Sequence, residues 1–203
     1  SAVFCFTLHV MEINSDACET YRLNHKGEIE CGDIRNYLKK LGSFKNIDLV
    51  FGGPPCQGFS VAGKMDPNDE RSKLIFTFMD VVEKVKPKVF VLENVKALAV
   101  LEKWEPVRKR LFQKARSLGY DFVELIVLNA TEYGVPQKRE RMFFIGIKNA
   151  RKIKKDPKGF AGYLEKYKKI ASPIREIFQN LGPAGTENNK MICGAKITLA
   201  KEP

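Results

Sequence analysis

Short apolar runs alternate with segments of helical periodicity along this chain of 203 residues. The apolar runs are rich in β-branched and aromatic residues, which favour extended backbone, and they predict strands. The predicted strands are Val3 to Met11, Glu28 to Cys31, Asp48 to Phe51, Lys88 to Leu92, Phe122 to Leu128 and Met142 to Ile147. Strands that alternate with helices predict an α/β fold, with a mostly parallel sheet and helices on both of its faces.

Two segments between these strands predict helices with one apolar face. The first runs from Leu74 to Val85 and follows Asp69 to Ser72, whose acidic and hydroxyl side chains favour a helix start. The second is marked by Trp104, Val107, Leu111 and Leu118. Apolar stripes at this spacing are typical of helices packed on a core, so we interpret both as core elements.

The composition changes after residue 150. Residues 148–158 are rich in lysine and have little apolar periodicity, which indicates a basic linker, although lysines that follow a phosphate backbone are the alternative. We therefore predict a partial catalytic domain over residues 1–150 and a second region over residues 151–203 that begins with this linker.

The net charge of the chain is +11, from 35 Lys and Arg against 24 Asp and Glu. Such an excess favours a polyanionic partner such as nucleic acid, and a lysine-rich solvated surface is the alternative.

The five cysteines form no CxxC pair, and neither a signal peptide nor a long apolar span is visible. This pattern predicts a reduced, intracellular protein without a membrane segment. Cys5, Cys18 and Cys31 are equally spaced, but zinc sites favour tight ligand pairs, so no metal site is predicted.

Three segments place reactive groups next to predicted strands. In the first, Asp48 to Gly63, an apolar run ends in glycines, prolines and Cys56, a candidate nucleophile. In the second, Glu93-Asn94-Val95 ends another apolar run. The third, Gln137 to Arg141, carries paired arginines before the last strand. One thiol, one carboxyl group and paired guanidinium groups suit covalent catalysis on a polar heterocycle.

These three motifs, in this order and spacing, resemble the cytosine-C5 DNA methyltransferases. The resemblance implies a Rossmann-like fold that uses S-adenosylmethionine and acts on a cytosine flipped out of double-stranded DNA. It assigns catalysis to Cys56, Glu93, Arg139 and Arg141: the Cys56 thiolate adds to carbon 6, Glu93 promotes protonation at ring nitrogen 3, and Arg139 lies near the carbonyl group. It also implies a set of substrate-binding residues: Gln57, Ser60, Asn94 and Gln137.

The same resemblance implies a cofactor site near the beginning of the chain. Glu12 matches the acid that binds the ribose, and Asp33 matches the acid that meets the adenine. Their neighbours Ile13 and Ile34, together with Pro55, complete the implied site. The resemblance further implies that residues 151–203 lead into a target-recognition domain, that the complete protein is monomeric, and that it is cytoplasmic in a prokaryote or nuclear in a eukaryote.

The chain departs from the family pattern at both ends. The glycine-rich turn that approaches the methionine part of the cofactor has no counterpart, because the first glycine is Gly27. Most of the target-recognition domain has none either. We therefore expect a catalytic-domain fragment that is inactive when isolated. Two alternatives stay open: a methyltransferase that acts on transfer RNA, and a nucleic-acid-binding remnant without turnover.

Overall fold

The computed structural model describes residues 9–55, 70–150 and 159–181, without the side chains of residues 70–72, 180 and 181. Its strands are β1 (His9–Glu12), β2 (Glu28–Cys31), β3 (Leu49–Gly52), β4 (Val89–Val95), β5 (Phe122–Asn129) and β6 (Glu140–Ile147). Its α-helices are α1 (Ser15–Asn24), α2 (Ile34–Tyr37), α3 (Glu70–Val85), α4 (Lys96–Val100), α5 (Glu105–Ser117), α6 (Gly159–Leu164) and α7 (Ile174–Leu181). Short 3₁₀ helices occur at Lys40–Ser43, Glu102–Trp104, Ala130–Glu132 and Glu165–Tyr167.

The strands form two sheets in the described part of the chain. One is the parallel pair of β1 and β2, in which Glu12 lies opposite Cys31. The other has the order β3-β4-β6-β5, with β3 parallel to β4 and β6 antiparallel to β4. The predicted α/β class is confirmed, but the sheet is mixed rather than mostly parallel. Strand polarity is set by how the chain returns to the sheet, which the apolar pattern of β6 does not encode.

The main core lies between the four-stranded sheet and helices α3 and α5. Buried side chains alternate along β4 because successive residues of a strand face opposite sides of the sheet. Phe90 and Leu92 pack against Ile75 and Met79 of α3 and against Leu111 of α5. The two predicted apolar helices are thus confirmed as core elements, and burial of these side chains is the main source of their stability.

Phe90 occupies the centre of this core. Its ring makes edge contacts with Tyr120 and Phe78 at centroid distances of 4.7 and 6.3 Å and a tilted contact with Phe144 at 5.4 Å. The opposite residue of β6 is Gly146, where an ideal Cβ atom would lie 2.0 Å from the Phe90 ring. Glycine is therefore required at this position by the close approach of the Phe90 ring, and not by backbone conformation.

Both sheets have an unpaired edge in the described part of the chain. β1 is hydrogen-bonded only to β2, and β3 is hydrogen-bonded only to β4. Leu49 and Phe51 of β3 are 48% and 64% exposed, whereas the apolar residues of a parallel strand are usually buried. The free edge of β3 thus retains backbone groups able to pair with a further strand.

The chain divides into two compact units. The first comprises residues 1–128 and 140–163 and contains both sheets. The second comprises residues 129–139 and 164–203. Within the second unit, Lys169 forms a β-bridge with Tyr133, and Lys168 pairs with Glu132 at 3.1 Å and Glu165 at 3.2 Å. These two carboxylates raise the pKa of Lys168.

Candidate active site

The turn after β3 carries the predicted nucleophile motif. β3 ends at Gly52, and the backbone continues through Gly53, Pro54 and Pro55. Cys56, Gln57 and Ser60 lie outside the described residues. The geometry of the motif is therefore defined by the residues that lead up to Cys56 and by the neighbouring strand β4.

Asn94 connects β4 to this turn. Its side-chain amide donates a hydrogen bond of 3.1 Å to the carbonyl oxygen of Pro54, and its own oxygen accepts one from the backbone N–H of Val95. Asn94 is only 1% exposed and faces the same side of the sheet as Phe90 and Leu92. A buried amide needs such partners, because an unpaired polar group in the core is costly. Asn94 thus fixes the position of the turn.

Glu93 faces the opposite side of β4 and forms an ion pair with Arg141. The Glu93 Oε1 atom lies 3.0 Å from Arg141 Nε, and the two side chains are 35% and 27% exposed. Arg141 pairs in register with Val95, two residues after Glu93, so both charged groups belong to the same sheet face. Consecutive residues of β4 therefore have separate positions and contacts: Asn94 contacts the turn and Glu93 contacts Arg141.

The Glu93 carboxylate also lies against the backbone of the turn. An ideal Cβ atom on Gly53 would be 3.1 Å from Glu93 Oε2, closer than an ordinary van der Waals contact. Gly53 thus allows the carboxylate to approach the turn closely. The sequence predicted Glu93 at the end of its strand, but β4 continues to Val95 and holds Glu93 within the sheet.

A second ion pair joins the first residue of α4 to β6, next to the first pair. Lys96 Nζ lies 2.7 Å from Glu140 Oε1, and the Arg141 guanidinium donates a 2.9 Å hydrogen bond to the Glu140 carbonyl oxygen. The sequence analysis missed Lys96 and Glu140, although each is adjacent to a motif residue. Their opposite charges next to the two motifs were the available signal.

The other residues of the paired-arginine motif lie in the second unit. Arg139 directly precedes β6, and its carbonyl oxygen accepts a 2.9 Å hydrogen bond from the N–H of Ala130. The N–H of Gln137 donates a 2.8 Å hydrogen bond to the Val135 carbonyl oxygen. The side chains of Gln137 and Arg139 are exposed. Arg141 lies inside the strand and Arg139 before it.

Glu12 is the last residue of β1 and Asp33 follows β2, so both lie at the carboxyl ends of these two parallel strands. Glu12 Oε1 accepts hydrogen bonds from the N–H groups of Ile13 and Asn14 at 2.8 and 2.9 Å. The other oxygen, Oε2, has no hydrogen-bond partner among the described residues. The backbone thus orients this carboxylate through one of its two oxygens.

Asp33 has a different environment. It caps helix α2 by accepting a 2.9 Å hydrogen bond from the Arg35 N–H, and the Arg35 guanidinium binds the same carboxylate. The side-chain and backbone hydrogen bonds from Arg35 lower the pKa of Asp33 to about 2. Asp33 is therefore a carboxylate that already has a cationic partner.

The remaining predicted cofactor residues have mixed exposure. Ile13 is 69% exposed beside Glu12, Ile34 packs with Leu41 and Val81, and Pro55 is exposed.

Among residues 9–55, 70–150 and 159–181, no group of three or more His, Cys, Asp and Glu side chains could hold a metal ion. No helix in these ranges has the length and apolar character needed to cross a membrane.

The chain matches a known protein family over most of its length. The model of the family described as C-5 cytosine-specific DNA methylase matches residues 6–202. The Type II methyltransferase M.BanI of Aneurinibacillus aneurinilyticus is 41% identical over 137 residues, which is 67% of this chain and 30% of that protein. The Type II methyltransferase M.FnuDI of Fusobacterium nucleatum is 37% identical over 139 residues, 68% of this chain and 39% of that protein.

Solved structures give the same result for the fold. A DNA modification methyltransferase encoded within an Escherichia coli prophage has a TM-score of 0.59 and 26% identity, and the match covers 82% of this chain and 52% of that one. The Rossmann-like methyltransferase fold predicted from the motifs is confirmed by this similarity. The chain spans less than half the length of the two curated relatives.

Proposed function

This chain belongs to the C-5 cytosine-specific DNA methylase family, and we propose that it carries the catalytic centre of a DNA cytosine-C5 methyltransferase. The observation that supports this function most directly is that Asn94 and Glu93 both contact the turn that precedes Cys56 in the sequence, while Arg141 pairs with Glu93. An amide that fixes the turn, a carboxylate against its backbone and a guanidinium on that carboxylate form an ordered site at the turn that leads into Cys56.

In the proposed reaction, Cys56 is the nucleophile. Carbon 5 of cytosine is weakly nucleophilic, and addition of the Cys56 thiolate to carbon 6 increases its electron density. Two peptide units span at most about 7.6 Å between Cα atoms, so the hydrogen bond that fixes Pro54 also limits the position of Cys56. Asn94 is thus a positioning residue for the nucleophile.

Glu93 and Arg139 would bind the cytosine ring, and Arg141 would hold Glu93 in place. Glu93 accepts a hydrogen bond from the exocyclic amino group and promotes protonation at nitrogen 3, which makes carbon 6 more electrophilic. Arg141 holds the Glu93 side chain at one oxygen and leaves Oε2 directed at the turn. Arg139 would bind the cytosine carbonyl, and Gln57, Ser60 and Gln137 would contact the extruded nucleotide and its backbone.

The family uses S-adenosylmethionine, which when bound supplies the methyl group that carbon 5 receives. Glu12 fits this cofactor through its free Oε2 atom, which can accept a ribose hydroxyl group as acids at strand ends do in dinucleotide-binding folds. We assign Asp33 to the adenine side, together with Ile13, Ile34 and Pro55. After methylation, loss of the carbon 5 proton and departure of the Cys56 thiolate restore the enzyme.

The proposed substrate is double-stranded DNA with a flipped cytosine. The relatives are named Type II methyltransferases of bacteria, and the charge of +11 favours binding to phosphates. We therefore also propose that the complete protein acts in the bacterial cytoplasm as a monomer, without a metal ion.

Methyl transfer by the complete protein tests this proposal. The purified protein would be incubated with tritiated S-adenosylmethionine and either double-stranded DNA or transfer RNA. We expect label in DNA, at carbon 5 of cytosine. Label in transfer RNA alone would assign the activity to RNA, and label in neither would favour a binding protein without turnover.

A further inference from the structure

Two cysteine residues lie next to the proposed cofactor residues Glu12 and Asp33. Cys18 of α1 is fully buried, and Cys31, the last residue of β2, is exposed. Cys31 lies close enough to be one of the groups that raise the pKa of the Cys18 thiol. The Cys18 thiol also donates a 3.5 Å hydrogen bond to the Glu12 carbonyl oxygen, and Glu12 is the residue that lies opposite Cys31 in the sheet. The sequence analysis noted both cysteines, and the catalytic proposal uses neither.

We propose that Cys18 and Cys31 form a redox-sensitive dithiol that closes to a disulfide in the presence of a low-molecular-weight disulfide such as oxidised glutathione. The Cys18 thiol contacts Glu12, the strand residue that pairs with Cys31, so a movement of the two side chains can bring their sulfur atoms to the separation of about 2.0 Å in a disulfide. The link would connect α1 to the end of β2, two residues before Asp33. This proposal does not depend on the catalytic assignment.

The different exposure of the two thiols sets the order of the steps. Burial and the neighbouring Cys31 raise the pKa of Cys18 to about 11, so its thiol is a weak nucleophile at neutral pH. Arg22 lowers this pKa and Glu12 raises it, and these are the charged groups that face Cys18. Cys31 is accessible to solvent and would react first.

Each step conserves atoms and electrons. The Cys31 thiolate attacks one sulfur of oxidised glutathione, forms a mixed disulfide and releases one glutathione thiolate. Cys18 then loses its proton to a glutathione thiolate, attacks the Cys31 sulfur and displaces the second glutathione. In total, two protein thiols lose two electrons and two protons, and one glutathione disulfide becomes two glutathione molecules.

Peptide mapping of the 203-residue chain tests this proposal. The chain would be treated with oxidised glutathione, quenched in acid, alkylated and digested with trypsin, which cuts after Arg22 and Lys26 between the two cysteines. We expect one crosslinked peptide pair that contains Cys18 and Cys31. The Cys18→Ala variant should instead accumulate glutathione at Cys31, because the resolving thiol is absent.

Two further variants complete the test. Cys31→Ser at the exposed position should lose both the crosslink and the glutathione adduct, whereas Cys5→Ser should keep the crosslink. Reduction with dithiothreitol should restore both thiols of the parent chain. The proposal is overturned if the parent chain retains glutathione at Cys31 without a crosslink, or if the crosslink joins another pair of cysteines.

Discussion

The buried Asn94 side chain donates its hydrogen bond to the carbonyl oxygen of Pro54, which lies in the turn after β3 and 40 residues earlier in the chain. This contact links the end of β4 to the turn that leads into Cys56. In the sequence, Asn94 is simply the middle residue of Glu93-Asn94-Val95, and its role as a positioning residue depends on the pairing of β3 with β4.

Replacement of Asn94 by alanine should impair both stability and catalysis. The variant leaves the partly buried Pro54 carbonyl without its donor, which costs about 1 to 3 kcal/mol in the free energy of unfolding. In the complete protein we expect kcat for methyl transfer to fall while the KM for S-adenosylmethionine stays near its original value. Denaturant unfolding and steady-state kinetics measure the two effects. Asn36→Ala, at an exposed helical position, is the control and should change neither quantity.

Replacement of Gly53 by alanine should displace the Glu93 carboxylate without unfolding the protein. Neither Gly53 nor Gly42 has a positive φ, so alanine fits both backbones. The new methyl group at Gly53 meets Glu93 Oε2 at 3.1 Å, whereas Gly42 has no atom within 4 Å of its ideal Cβ position. We expect methyl transfer to slow by about 10-fold in Gly53→Ala, since misplaced catalytic groups are costly, and to be unchanged in Gly42→Ala. Equal rates in the two variants would contradict the assigned role of Glu93.

Glu93→Gln in the complete protein should keep cofactor affinity and slow methyl transfer by about 100-fold or more, because the amide has no acidic proton to provide. Glu12→Ala should have the opposite pattern and weaken S-adenosylmethionine binding first, since it removes the free Oε2 atom. Calorimetric titration and single-turnover rates separate the effects. A similar loss of cofactor affinity in both variants would mean that the two carboxyl groups are misassigned.

Gly146→Ala tests the description of the core. The added methyl group would overlap the Phe90 ring, and overpacking of a core generally costs about 1 to 3 kcal/mol. Thermal unfolding of the chain should show a lower Tm than that of Gly42→Ala. An unchanged Tm would mean that the Phe90 ring has room to move away from β6.

The sequence predicted the elements of the fold better than their arrangement. The strand that contains Phe90 and the helix that contains Ile75 were recognisable because their apolar periodicities differ. The antiparallel direction of β6 was not predicted, since its apolar run resembles that of a parallel strand. The Phe90–Gly146 contact could not be predicted either, because it depends on the register between two strands.

For the candidate site, too, the sequence predicted the residues better than their contacts. The motifs identified Glu93, Asn94 and Arg141, and the structure places Glu93 and Asn94 against the turn after β3, with Arg141 paired to Glu93. The Lys96–Glu140 pair was missed because two such residues 44 positions apart form a contact only after β4 and β6 pair. The contact between Asp33 and Arg35 was missed for another reason. Arg35 binds Asp33 within the first turn of α2, and in the sequence Arg35 resembles an ordinary surface residue.

The central claim is that Cys56 attacks carbon 6 of a flipped cytosine, and covalent trapping tests it most directly. The complete protein would be incubated with S-adenosylmethionine and duplex DNA in which the target cytosine is replaced by 5-fluorocytosine, whose fluorine cannot leave as a proton. We expect a denaturation-resistant protein–DNA adduct that maps to Cys56, is absent in Cys56→Ser and persists in Cys193→Ser. An adduct that survives in Cys56→Ser, or that maps to another cysteine, would contradict the claim.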